Sequence, residues 1–227
     1  MSVLFLPFRR VVSARTSWLA VLGASGVALA FASLQHFRVA AHGADRALDI
    51  YAAIAVPLLV YGVVQGALGD AGLVGSGRTL VRFGAARGPV ALGTVLVAMA
   101  ASALLCGILG GVVAAWAHGA DDPPAMRDAL ETFAFGALAG ATYAAYFTLA
   151  SAILPGTWGR GAFLLLDWML GSGVDVGALF TPHAHVRNLL GGDGPLEMAP
   201  WESLIALALM AFIFAALAVR RAMAARV

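Results

Sequence analysis

Lysine is absent from this chain, and only 11% of its 227 residues are charged. A soluble domain carries about 25% charged residues and about 45–50% apolar ones. Here 61% are hydrophobic. A soluble core of this length cannot hide so much apolar surface, so the bilayer must be the main solvent. There is one cysteine, Cys106. It excludes an internal disulfide and a CxxC metal site, and its apolar setting reads as packing. No GxxxxGK[ST] loop is present, and no lysine could complete one, so nucleotide hydrolysis within this chain is not expected. The net charge is only +2, and the basic residues, all arginine, stand at the ends of apolar segments. That is a topology signal, and no nucleic-acid partner is expected.

Six stretches are long enough to cross a membrane, which takes about 20 residues at roughly 1.5 Å rise each. They lie near 17–34, 49–68, 89–116, 131–154, 161–180 and 201–219. The third is over-long, and the fifth contains Asp167 and Asp175. No loop is long enough for a soluble domain, so 1–227 reads as one transmembrane domain.

With a cytoplasmic N-terminus, the inside segments hold Arg9, Arg10, Arg15, Arg78, Arg82, Arg87, Arg160, Arg220, Arg221 and Arg226. The outside loops hold Arg38, Arg46, Arg127 and Arg187. This ten-to-four split places both termini inside a plasma (inner) membrane. Most acids then fall outside, among them Asp45, Asp49, Asp121, Asp122, Asp193 and Glu202. The first segment has a rival reading as a cleaved signal peptide, with Ala28-Leu29-Ala30 or Ala30-Phe31-Ala32 as the cleavage site. Ahead of it, MSVLFLPFRRVV is too short to span and suits an interfacial helix.

Four pairs of glycines stand four apart: Gly62/Gly66, Gly107/Gly111, Gly136/Gly140 and Gly173/Gly177. Small residues at this spacing let helices approach closely, within the bundle or at a dimer seam.

Three of the arginines crowd into GRTLVRFGAARG, from Gly77 to Gly88. On a helix over 78–86, Arg78 and Arg82 fall about 40° apart, and Leu80 and Phe83 take the opposite side. Such a piece would lie along the membrane with its arginines toward the cytosol. Charge asymmetry alone accounts for the arginines; a docking helix for a cytoplasmic partner also accounts for the apolar face.

GRTLVRFGAARGPVALGTVLVA resembles the loop before the third span in permease subunits of ABC-2 type transporters. There a Gly-rich entry and a basic-apolar segment lead through a small-Arg pair, here Ala86-Arg87, into the span; Asp70 stands where an acid often precedes it. FTPHAHVRNLLGG, from Phe180 to Gly192, resembles that family's segment after the fifth span. WESLIALALMAFIFAALAVRRAMAAR resembles its last helix. The resemblance implies an all-α polytopic membrane protein with six transmembrane helices, an N-terminal interfacial helix and a short cytoplasmic coupling helix. It implies docking of a separate cytoplasmic ABC ATPase, which would hold ATP and Mg, on Arg78, Leu80, Arg82, Phe83 and Arg87. It also implies a second permease copy, identical or related.

Asp167 and Asp175 are costly in hydrocarbon, about 2.5–3.5 kcal/mol each on insertion scales. On one helix they would share a broad face, about 80° and roughly 12 Å apart. They pair within the bundle or mark a helix broken at Gly171-Ser172-Gly173, or they line a translocation path. A shared-proton catalytic dyad is disfavoured by their separation. His183 and His185 suggest a metal, but zinc needs three or four ligands, so a polar outer loop is the plainer reading. His36 and His42 fall on the same expected outer side. GASG at Gly23–Gly26, with Ser25, offers an intramembrane serine protease as the remote enzyme reading, yet the expected later spans carry no mid-helix histidine.

The expected function is therefore the permease subunit of an ATP-driven transporter, with no catalytic residue, metal or cofactor of its own. The lack of a binding-protein domain leans toward export. The mostly apolar interior suits lipids or amphipathic molecules. An ion-coupled carrier using Asp167 or Asp175, or a non-transporting scaffold, are the alternatives.

Overall fold

A computed structural model describes residues 5–38, 43–118, 125–154 and 156–225. His42, Asp121, Asp122 and Arg226, named above, lie outside the described residues. Regular structure among the described residues is entirely helical. The helices are α1 (Phe5–Ser13), α2 (Arg15–Arg38), α3 (Gly43–Ile50), α4 (Val56–Leu68), α5 (Gly72–Ser76), α6 (Arg78–Arg82), α7 (Arg87–Ala117), α8 (Ala125–Ile153), α9 (Trp158–Gly171), α10 (Pro182–Leu189) and α11 (Pro200–Ala224).

Five stretches are long and apolar enough to cross a membrane: Ser17–Phe37, Ala44–Ser76, Arg87–Ala117, Met126–Ile153 and Pro200–Ala224. They match five of the six expected spans. The fifth expected span, 161–180, is not among them. Its helix α9 has 14 residues and reaches only about 21 Å, short of a hydrocarbon core of about 30 Å. Gly171-Ser172-Gly173 ends it, and the chain continues through a 3-10 turn, Ala178–Phe180, into α10. Pro182 sits in the first turn of α10, where its missing N–H costs nothing.

The central helix is α8, which packs on α7, α11, α4, α9 and α10. Its glycines explain the closest approach. A Cβ on Gly140 would strike the backbone carbonyl of Ser102, and one on Gly136 would come 2.8 Å from that of Cys106. Gly107 and Gly111 complete the seam from the α7 side, against Phe133 and Ala129. Gly62 and Gly66 admit Ser17 and Ala20 of α2 in the same way. Three of the four glycine pairs therefore pack inside the bundle. The fourth, Gly173/Gly177, is not a helix pair, because it lies in the break after α9 beside the Asp175 carboxylate.

A π-helical turn, Tyr51–Ala55, joins α3 to α4. Such a turn displaces the regular ladder and frees carbonyls. The Trp168 indole N–H, on α9, donates to the Ala53 carbonyl at 2.8 Å. The Tyr51 hydroxyl donates to the Cys106 carbonyl at 2.6 Å.

The two ends of the bundle differ in chemistry. At one, Arg10 on α1 donates to the Ser76 carbonyl (2.8 Å), and Arg87 to the Ala225 carbonyl (2.6 Å), so α1 and the end of α11 meet the α5–α7 region. At the other, His36 stacks on Trp116 with ring centres 5.1 Å apart, and His118 meets Asp128 at 3.0 Å. The arginine-rich end carries Asp70 as its one acid among the described residues.

Candidate functional site

At the arginine-rich end, α6 is shorter than the 78–86 expected. It stops at Arg82, and Gly84 takes φ +91°, a left-handed turn that glycine adopts freely. The amides of Phe83 and Ala85 close that turn on the carbonyls of Leu80 and Thr79. The faces of α6 also fall differently from the expectation. Val81 turns inward, and with Arg78 and Arg82 it lines a cleft against Arg87 and Val90 of α7 and Ala222 of α11. Phe83 points away and is 87% exposed, while Leu80 is half-buried. Arg78 and Arg82 are exposed and form no hydrogen bond or ion pair among the described residues. Thus all five residues expected to dock a partner cluster at one end, four of them on one short stretch and Arg87 at the start of α7.

Beside this surface, Arg160 is fully buried. It donates to the Gln65 amide oxygen and, at 3.0 Å, to the Gly69 carbonyl. Gln65 in turn donates to Asp70 at 2.8 Å. The chain Arg160–Gln65–Asp70 ties α9 to the end of α4, immediately before α5 and α6. Nε and Nη1 of Arg160 find no partner. Sequence reasoning counted Arg160 as a topology charge and missed this role; its partners lie 95 and 91 positions away.

In the middle of the bundle, Asp167 is 0% exposed. The Tyr143 hydroxyl donates to its Oδ2 at 2.6 Å, and the His183 backbone N–H to its Oδ1 at 3.1 Å. His183 Nδ1 stands 3.9 Å from Oδ2 and has no hydrogen-bond partner. Asp175 is not beside it on one helix, as the sequence suggested, because α9 ends at Gly171. It is exposed and caps its own turn by accepting the Gly177 N–H at 3.1 Å.

His183 and His185 lie in α10 and are buried, rather than in a polar outer loop. His185 pairs through Nδ1 with the Ser203 hydroxyl (3.0 Å) and through Nε2 with the Leu179 carbonyl (3.1 Å). Asn188 donates to the Ser203 oxygen (2.9 Å) and the Met198 carbonyl (2.8 Å). This polar knot pins α10 to the start of α11. Among the described residues, no three His, Cys, Asp or Glu side chains gather as a metal set. Among the described residues, no histidine is bonded to Ser25, whereas His185 meets Ser203, itself fully buried.

No protein-family model matches the chain, and neither a curated protein nor a solved structure does.

Proposed function

We propose that this chain is the permease subunit of an ATP-driven exporter of the ABC-2 type. The observation that carries it is the short helix α6, which leaves Phe83 at 87% exposure and carries Arg78 and Arg82, neither of them hydrogen-bonded or ion-paired among the described residues. An exposed aromatic on one side of a short helix, with two guanidinium groups on its other side, suits a protein groove with an apolar pocket and an acidic rim. The helix is joined to the bundle by α5 and, through Asp70, Gln65 and Arg160, to α9. A partner that closes on ATP and Mg would therefore push on two spans at once, and rock the bundle between two states. In this reading the arginine-rich end is cytoplasmic, α1 lies in the interface, and α9 with the broken chain after it stands as an incomplete sixth crossing. A second permease copy would complete the pathway.

A second reading is favoured by Asp167, a fully buried carboxylate facing an unpartnered histidine nitrogen. Such groups in a membrane usually serve ions or protons. Here the chain would be an ion-coupled carrier. Transport into sealed vesicles separates the two. Uptake that needs ATP and the co-purified ATPase supports the first reading. Uptake driven by an ion gradient with no ATP present contradicts it and favours the second.

A further inference from the structure

The cleft between α6, α7 and α11 is more than a gap behind a docking helix. It offers 60 Å³ of room, several times the roughly 10–15 Å³ that one water needs. Its rim is Arg78, Arg82 and Arg87. Its floor is apolar: Val74, Val81 and Val90. Among the described residues no acid lines it, since Asp70 borders a separate hollow with Arg10. Arg87 spends one N–H on the Ala225 carbonyl, and the other two arginines spend none. The cleft lies where α7 begins and α11 ends, which for helices that span a bilayer is the depth of the lipid headgroups. Basic pockets between spans at that depth suit anionic lipid heads, and arginine forks match phosphate oxygens in pairs.

We propose that this cleft binds an anionic phospholipid. The phosphate lies among Arg78, Arg82 and Arg87, and the first acyl carbons rest on Val74, Val81 and Val90. Charge complementarity sets the class: three cations with no acid among the lining residues select a phosphate head, and the apolar floor selects one that carries a chain. The lipid holds α6 against α7 and α11, and leaves Phe83 free on the other side. The inference does not rest on the transporter reading and concerns the chain alone.

The test uses the full chain, with no ATPase, in bilayer discs of dioleoylphosphatidylcholine containing a minor share of dioleoylphosphatidylglycerol. Native mass spectrometry then reads which lipid stays bound after gentle release. The expected result is selective retention of phosphatidylglycerol. Retention falls at least about tenfold, equivalent to about 1.4 kcal/mol, in the R78Q/R82Q double variant. It is largely restored in R78K/R82K, and is unchanged in R9Q/R15Q, which removes two exposed charges of the same end. Equal retention by R78Q/R82Q, or equal loss in R9Q/R15Q, overturns the site. Inorganic phosphate that displaces the lipid completely at equal concentration assigns the cleft to free phosphate and overturns the acyl contact. F83S keeps the two ideas apart: Phe83 does not line the cleft, so lipid retention stays while ATPase capture is lost.

Discussion

Asp167 is a carboxylate with no arginine within ion-pair reach and no exposure to solvent. Its oxygens depend on Tyr143 and on the His183 backbone. Interhelical hydrogen bonds in membranes average only about 0.6 kcal/mol. A buried acceptor stripped of its donor costs more, about 1–3 kcal/mol. No other donor is within bonding distance of Oδ2, so the larger figure should govern. Tyr143→Phe is expected to lower stability by about 1–3 kcal/mol, read by thermal unfolding in detergent. In the background of Asp167→Ala, which leaves no acceptor for the hydroxyl, the same change should cost much less, because the two residues share one interaction. Additive losses would show that Tyr143 acts elsewhere. Arg160 poses the opposite case. Its partners, Gln65 and the Gly69 carbonyl, are neutral, and two of its nitrogens are unpartnered. Removing it leaves no orphan acid. Arg160→Met strips two half-buried acceptors of their donor and is thus expected to cost about 1–3 kcal/mol, against roughly 3–5 for breaking a buried ion pair. A loss in that upper range would mean that Arg160 is paired with a charge.

Among the elements, the α7–α8 seam depends on glycine. A methyl group at Gly140 meets the Ser102 backbone, which a side-chain rotation cannot relieve. Gly140→Ala should therefore destabilise by about 1–3 kcal/mol through overpacking. Gly23→Ala, on α2, meets nothing within 4 Å and should be neutral or slightly stabilising through helix propensity. Unfolding curves of the two variants check the pair, and equal effects would refute the packing account. What the sequence disclosed at this scale follows from its physics. Apolar length and terminal arginines are local signals, so five apolar spanning stretches were legible, although the second runs from Ala44 to Ser76 where 49–68 was expected. The fifth expected span was not, because an apolar run through Gly171-Ser172-Gly173 scores like a helix while its glycines and Asp175 form a turn. The register of α6 was misread for a similar reason: periodicity shows which residues share a face, but the packing of Val81 against α7 decides which face turns inward. Contacts such as Tyr143 with Asp167, or Arg160 with Gln65, join separate helices and leave no local trace.

For the whole molecule, α1 and the end of α11 gather with nine of the described arginines at one end, while Asp45, Asp49, Asp128 and Asp193 lie toward the other. On the positive-inside bias, we propose that the arginine end is the cytoplasmic one. Cys106 is buried and can be replaced by alanine to give a background for labelling. In intact cells, an impermeant maleimide should label Asp193→Cys and spare Ala225→Cys until the membrane is opened; the reverse pattern would invert the topology. The central claim concerns the surface that α6 shows to that side. It is tested most directly by purifying the tagged chain from its own host in mild detergent and identifying what comes with it, alongside the variant with Arg78→Glu and Arg82→Glu. The account predicts an ATP-binding chain with the native protein and none with the variant. An ATP-binding chain in neither sample, or in both equally, would contradict the docking role of α6.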